Sequence, residues 1–223
     1  LRICDGVCEL RYVSKMSKAA EVLAQVACPI VCSDLMLNAA TDFDSIDANL
    51  VAREFQSGDD ELSRYQATLI VPKCAISNKT PVPLIVSGHG GPHSSCINSH
   101  TQSGAAFLTS GMAVLYINYR GSLGFGQDSL ETLPGRAGFQ DVAEVLQATQ
   151  WALQKAAPSL LNKERVGYVG GSHGGFLGAH LSVIPGTPIK RTALRNPVIN
   201  VASMVNVTDI PEWAFCEAGV API

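Results

Sequence analysis

The sequence predicts a doubly wound α/β fold with a mostly parallel sheet, and three observations point to it. Apolar runs of strand length are continuous rather than alternating, which means strands covered on both faces. Segments with helical spacing separate those runs, as in a sheet with helices on each side. Each main run stops at Gly or Asn, where a chain can turn sharply off a strand end.

In chain order, the first 60 residues carry only short apolar runs, such as Val22–Val26 and Pro29–Val31. The segment Thr41–Asp47 is acidic and turn-rich, and Gln56–Asp60 has loop composition, so a boundary is placed there. Tyr65–Val71 is a β-type run stopped by Pro72. Val82–Val86, Met112–Ile117 and Arg165–Val169 are the continuous apolar strands, and Arg191–Leu194 is a fourth candidate. Between them, Val142, Val145, Leu146, Trp151 and Leu153 follow helical spacing until Pro158. Thr101–Thr109 and Ser172–Val183 are the other helix candidates, the latter ended by Pro185-Gly186.

Composition narrows the function classes. Of 223 residues, 47% are hydrophobic and 16% charged, enough for a core and too little charge for a disordered chain. A net charge of -3 supplies no attraction for nucleic acid or an anionic membrane. No stretch approaches the ~18 uninterrupted apolar residues of a membrane helix, and Leu1–Cys32 is too interrupted by charge for a signal peptide. A cytoplasmic protein is therefore expected. The seven cysteines are odd in number and irregular in spacing, which fits free thiols better than a disulfide framework. Cys4 with Cys8 and Cys28 with Cys32 lack nearby histidines for a zinc site. No metal or cofactor is expected.

Three segments carry chemistry. Gly170-Gly171-Ser172-His173-Gly174-Gly175 fits G-x-S-x-G between a predicted strand and a predicted helix. That is the setting of the nucleophile elbow of an α/β-hydrolase, where small neighbours let strand and helix approach and the turn exposes the serine. Ser172 is thus the candidate nucleophile. A bland Gly-rich turn is the competing reading, and a phosphate loop is disfavoured because no Lys follows the glycines. His89-Gly90-Gly91-Pro92 leaves the end of Val82–Val86, where such a fold supplies one oxyanion-hole amide, the other coming from the residue after the nucleophile, His173. The His89 side chain reads as a structural hydrogen-bonder of that loop. Asn118–Gly126 leaves a third strand end, and its Arg120 is either a substrate-binding cation or a structural ion-pair partner.

The order Ser, acid, His is not completed downstream. After Ser172 the acids are Asp209, Glu212 and Glu217, and the histidines are His173 and His180, so no histidine follows an acid. A chymotrypsin-like order of His89, Asp141 and Ser172 conflicts with the strand-elbow-helix context.

HGGPHSS at His89–Ser95, NYRGSLGFGQDS at Asn118–Ser129, GGSHGGF at Gly170–Phe176, RNPVIN at Arg195–Asn200 and TDIPEW at Thr208–Trp213 closely resemble the acylaminoacyl-peptidase members of the prolyl oligopeptidase family. The resemblance spans roughly Pro81 to Gly219. It implies a serine-type exopeptidase of the cytosol that releases one N-acylated amino acid from short N-acylated peptides. It implies Ser172 as nucleophile, with the Gly91 and His173 amides as oxyanion hole. It also implies an N-terminal β-propeller, of which residues 1–60 would be a remnant, ahead of a partial peptidase domain over 61–223. The family's Asp and His would then lie downstream, making this a fragment of little activity alone. A homo-oligomer of the full-length protein is compatible with that picture. A non-catalytic interaction module and a carboxylesterase are the alternatives.

Overall fold

The computed structural model describes residues 2–4, 7–9, 53–56, 64–97 and 101–220. Strands β1 (Arg2–Cys4) and β2 (Val7–Glu9) form a small antiparallel hairpin. Most of the segment expected to be a propeller remnant lies outside the described residues.

The main sheet has six strands: β3 (Arg53–Gln56), β4 (Arg64–Ile70), β5 (Val82–Gly88), β6 (Ala113–Asn118), β7 (Leu161–Gly171) and β8 (Arg191–Arg195). Their order is β3-β4-β6-β5-β7-β8. The pairs β6/β5, β5/β7 and β7/β8 are parallel, whereas β3/β4 and β4/β6 are antiparallel. The sheet therefore begins upstream of the boundary expected near residue 60.

Alternation within single strands explains the two-sided core. Adjacent side chains on a strand point to opposite faces. On β4, Leu69 joins the main core while Ile70 joins a smaller cluster; on β6, Leu115 and Val114 divide in the same way. The main core packs under α4 (Gln140–Trp151) and α5 (His173–Val183), through Val142, Val145, Leu177 and Leu181. The smaller cluster packs under α2 (Gln102–Thr109) through Leu108. The Thr101 hydroxyl caps α2 by accepting from the Gly104 amide at 3.1 Å. The remaining helices are short: α1 (Lys73–Asn78), α3 (Gln127–Glu131), α6 (Val201–Met204) and α7 (Pro211–Glu217).

One departure from the sequence reading has a physical cause. Strand β7 starts at Leu161, earlier than the apolar run at Arg165, because its first part, Lys163–Arg165, is exposed. Pro83 sits inside a central strand, a position where it cannot donate to the ladder; the β5/β7 register shifts between Val82 and Leu84, so the irregularity accommodates it. Helix α4 runs through a π-helical turn, Ala152–Ala156, before Pro158 ends it. Among the described residues, no helix is long and apolar enough to cross a membrane.

Leu115 is fully buried in a central strand. Leu115→Ala is expected to cost about 2–5 kcal/mol, read as a fall in the urea midpoint. Phe139, 81% exposed, is expected to change stability by less than about 0.5 kcal/mol on truncation to Ala.

Candidate active site

The end of β7 turns into α5 through a single residue, Ser172, whose backbone lies at φ 55° and ψ -121°. A non-glycine residue there costs about 1–3 kcal/mol and persists only when its surroundings dictate it. Those surroundings are backbone. A Cβ on Gly170 would lie 2.3 Å from the Gly174 carbonyl oxygen, and one on Gly174 would lie 2.2 Å from the Gly88 carbonyl oxygen. Strand β7, helix α5 and the end of β5 thus meet with no room for side chains. The Ser172 amide donates to the Arg195 carbonyl at 3.0 Å, and the Ser172 carbonyl accepts from the amides of Phe176 at 3.0 Å and Val198 at 3.3 Å. The Asn196 backbone, at φ 35°, turns the chain between these contacts. The segment Arg195–Val198 is a cradle for the Ser172 backbone, a role that the sequence reading of RNPVIN as a family marker did not supply.

The loop after β5 lies against the same turn. A Cβ on Gly90 would be 3.3 Å from the Ser172 Cβ, and Gly91 adopts φ 127°. The His173 amide opens α5, one of the N–H groups without an acceptor inside its helix. A cleft of about 650 Å³ sits over these strand ends, lined by His89, Gly90, Gly171, Ser172, Ser103 and Arg195 among others.

The histidines near Ser172 are engaged elsewhere. His173 Nε2 lies 2.7 Å from Asp141 Oδ2, with both side chains buried, while Asp141 Oδ1 accepts from the amides of Gly138 at 2.7 Å and Val142 at 2.9 Å. The His173 ring also packs against Tyr119 and Phe176. Its side chain ties α5 to α4, and Asp141 is the partner of His173 rather than of His89. His89 Nε2 lies 2.8 Å from Ser122 Oγ, Nδ1 lies 2.9 Å from the Gly90 carbonyl, and the ring stacks on Tyr119 at 4.4 Å. Burial lowers its pKa to about 4, so the ring is neutral near pH 7.

Two further pairs anchor the neighbouring loops. Arg120 Nε pairs with Glu144 Oε1, and the Arg120 amide donates to Glu144 Oε2 at 2.8 Å. Burial raises the Glu144 pKa to about 7, against the pull of Arg120. Arg120 is not among the residues lining the Ser172 cleft. His93 Nδ1 faces the Gly121 carbonyl at 2.7 Å, and its Nε2 lies 3.1 Å from Oε1 of buried Glu217. Burial raises the Glu217 pKa, opposed by His93 and His173. Neither Glu217 nor its helix α7 was singled out from sequence as a neighbour of the oxyanion loop; only tertiary packing brings it there. His180 rests edge-on against Phe176. Among the described residues, no group of His, Cys, Asp and Glu is arranged to hold a metal; Cys28 and Cys32 lie outside them.

Gly174→Ala forces backbone apart, because its methyl would strike the Gly88 carbonyl. It is expected to cost about 1–3 kcal/mol and to abolish reaction of Ser172 with a fluorophosphonate probe. For His89 the folded pKa is below the ordinary value of about 6.5, so the unfolded chain binds more protons between those values. The stabilisation it carries is complete above about pH 6.5 and lost as pH falls toward 4. The stability gap between wild type and His89→Gln, measured by urea unfolding, is expected to narrow over that window.

The comparisons with known proteins agree with this geometry. Residues 99–220, more than half the chain, match the prolyl oligopeptidase family. The chain is 46% identical over 155 residues to an acylamino-acid-releasing enzyme of Sus scrofa, covering 70% of this chain and 21% of that protein. It is 48% identical over 136 residues to acylamino-acid-releasing enzyme 1 of Oryza sativa subsp. japonica, covering 60% and 17%. An acylaminoacyl peptidase structure from Pyrococcus horikoshii shares the fold, with a TM-score of 0.66 at 24% identity, over 76% of this chain and 26% of that one. The chain thus spans about one fifth of the length of the curated relatives it matches. With its serine elbow, glycine contacts and sheet order, the chain belongs to the prolyl oligopeptidase family of serine peptidases.

Proposed function

We propose that this chain carries the nucleophile and oxyanion hole of a peptidase that releases N-acylated amino acids from short N-acylated peptides. The observation that carries the reading is Ser172 at φ 55° on a strand-to-helix turn too crowded for side chains. In this reading the Ser172 oxygen attacks the carbonyl of the N-acylated residue and displaces the peptide amine. The amides of His173 and Gly91 receive the oxyanion, where preorganised donors stabilise the developing charge. Water then attacks the acyl-enzyme, freeing the N-acyl amino acid and restoring the hydroxyl. The acyl-peptide specificity draws on relatives named acylamino-acid-releasing enzyme. Arg120, held by Glu144, serves this reading as a shaper of the loop at the substrate side.

Proton removal from Ser172 is the demanding step. Among the described residues no histidine hydrogen-bonds its hydroxyl: His89, His93 and His173 are bonded to other groups, and His180 packs on Phe176. An unassisted serine hydroxyl is a weak nucleophile, but an oxyanion hole with binding leaves about 10³–10⁴-fold acceleration over water. The 223-residue chain is therefore expected to label slowly with a fluorophosphonate, and only through Ser172. Equal labelling of Ser172→Ala, or none by a folded chain, would overturn the reading. Labelling at the rate of a complete triad would instead mean that a base assists Ser172.

A further inference from the structure

The cleft over Ser172 carries an asymmetry of charge. Among the described residues, its lining is glycine, serine, aliphatic side chains, His89 and one cation, Arg195, with no carboxylate. Arg195 is exposed at the C-terminal end of β8, and among the described residues it has no ion-pair partner. Its position is set closely. The Arg195 carbonyl holds the Ser172 amide at 3.0 Å, so its own backbone is locked to the nucleophile's. A methyl at Gly171, the residue before the nucleophile, would lie 3.5 Å from Nε and 3.7 Å from Nη2 of Arg195. The guanidinium therefore lies alongside the residue that precedes the attacking serine. A guanidinium presents a planar fork of donors that matches a carboxylate in two-point geometry.

We infer that Arg195 is a specificity-determining residue that binds a substrate carboxylate within one or two residues of the scissile carbonyl. This deepens the peptidase reading and rests on it for the identity of the ligand as a peptide. The reach follows from chain geometry, since each residue spans at most about 3.6 Å. Two sources present that group: the α-carboxylate of a leaving group one residue long, or an acidic side chain on the released N-acylated residue. In the first case the cation rewards very short substrates, because a longer peptide carries its terminal carboxylate out of range. In the second it selects among the residues released.

The test is a binding titration of the Ser172→Ala chain, which separates recognition from chemistry. N-acetyl-Ala-Ala as free acid is compared with its amide, and N-acetyl-Asp-Ala amide with N-acetyl-Asn-Ala amide. A preference of roughly 2- to 5-fold for the anionic member of one pair is expected at low salt, shrinking as salt is raised. Preference in the first pair assigns the α-carboxylate, and in the second the side chain. Arg195→Gln is expected to remove the preference for the anionic member, and Arg195→Lys to retain part of it. Equal affinity within both pairs, or no measurable binding of any member by the folded Ser172→Ala chain, overturns the inference. Ser172-dependent labelling without carboxylate preference would sink this inference alone. Carboxylate preference with no Ser172 labelling would leave Arg195 as a carboxylate site and sink the peptidase reading.

Discussion

Everything at the candidate site depends on one contact, the approach of three backbones at Gly88, Gly170 and Gly174. At 2.2–2.3 Å from the neighbouring carbonyl oxygens, a methyl on Gly170 or Gly174 has no place. The chain must leave β7 and enter α5 within one residue, and Ser172 takes the unfavourable dihedral pair that this requires. The strain has two consequences. The serine side chain is held out of the helix, toward the cleft. The first amide of α5 is left unbonded within its helix beside it, so the proposed nucleophile and a free N–H come from the same turn.

Around that turn three polar pairs tie elements together, and in one of them, Asp141–His173, both side chains are buried. Asp141 and His173 join α4 to the start of α5. Arg120 and Glu144 join the loop after β6 to α4. His93 and Glu217 join the loop after β5 to α7. Removing one member of the buried Asp141–His173 pair leaves a charge or dipole without compensation and costs about 3–5 kcal/mol, far more than the pair is worth relative to an apolar replacement. These ties therefore govern geometry more than total stability. The His89–Tyr119 stack and the His89–Ser122 contact add a neutral brace on the side of the loop after β5 that faces the loop after β6.

The strands that cross the core were legible because continuous apolar runs have few other solutions in an α/β chain. Val82–Gly88, Ala113–Asn118 and Arg191–Arg195 appear within two residues of where the sequence placed them. The polar start of β7 was not legible, since an exposed strand extension has no apolar pattern to show. The antiparallel direction of β4 was equally hidden: a buried strand reads the same whichever way its neighbours run. The elements after β8 are short and largely exposed, and helices of four to seven residues leave too little periodicity to detect.

Ser172 and the glycines about it were determined by sequence alone, because a sharp strand-to-helix turn tolerates so few residues that the motif and its geometry are nearly the same statement. That the loop His89–Pro92 leaves the end of β5 was also legible, because it follows an apolar run. What only the tertiary structure decided is which side chains meet. Asp141 and His173 are 32 positions apart, and Arg195 reaches Gly171 only because β8 lies beside β7. Pairings of that kind depend on strand order and on the direction of each turn. Neither is written in local spacing, because the same spacing is compatible with several sheet orders until the whole chain has packed.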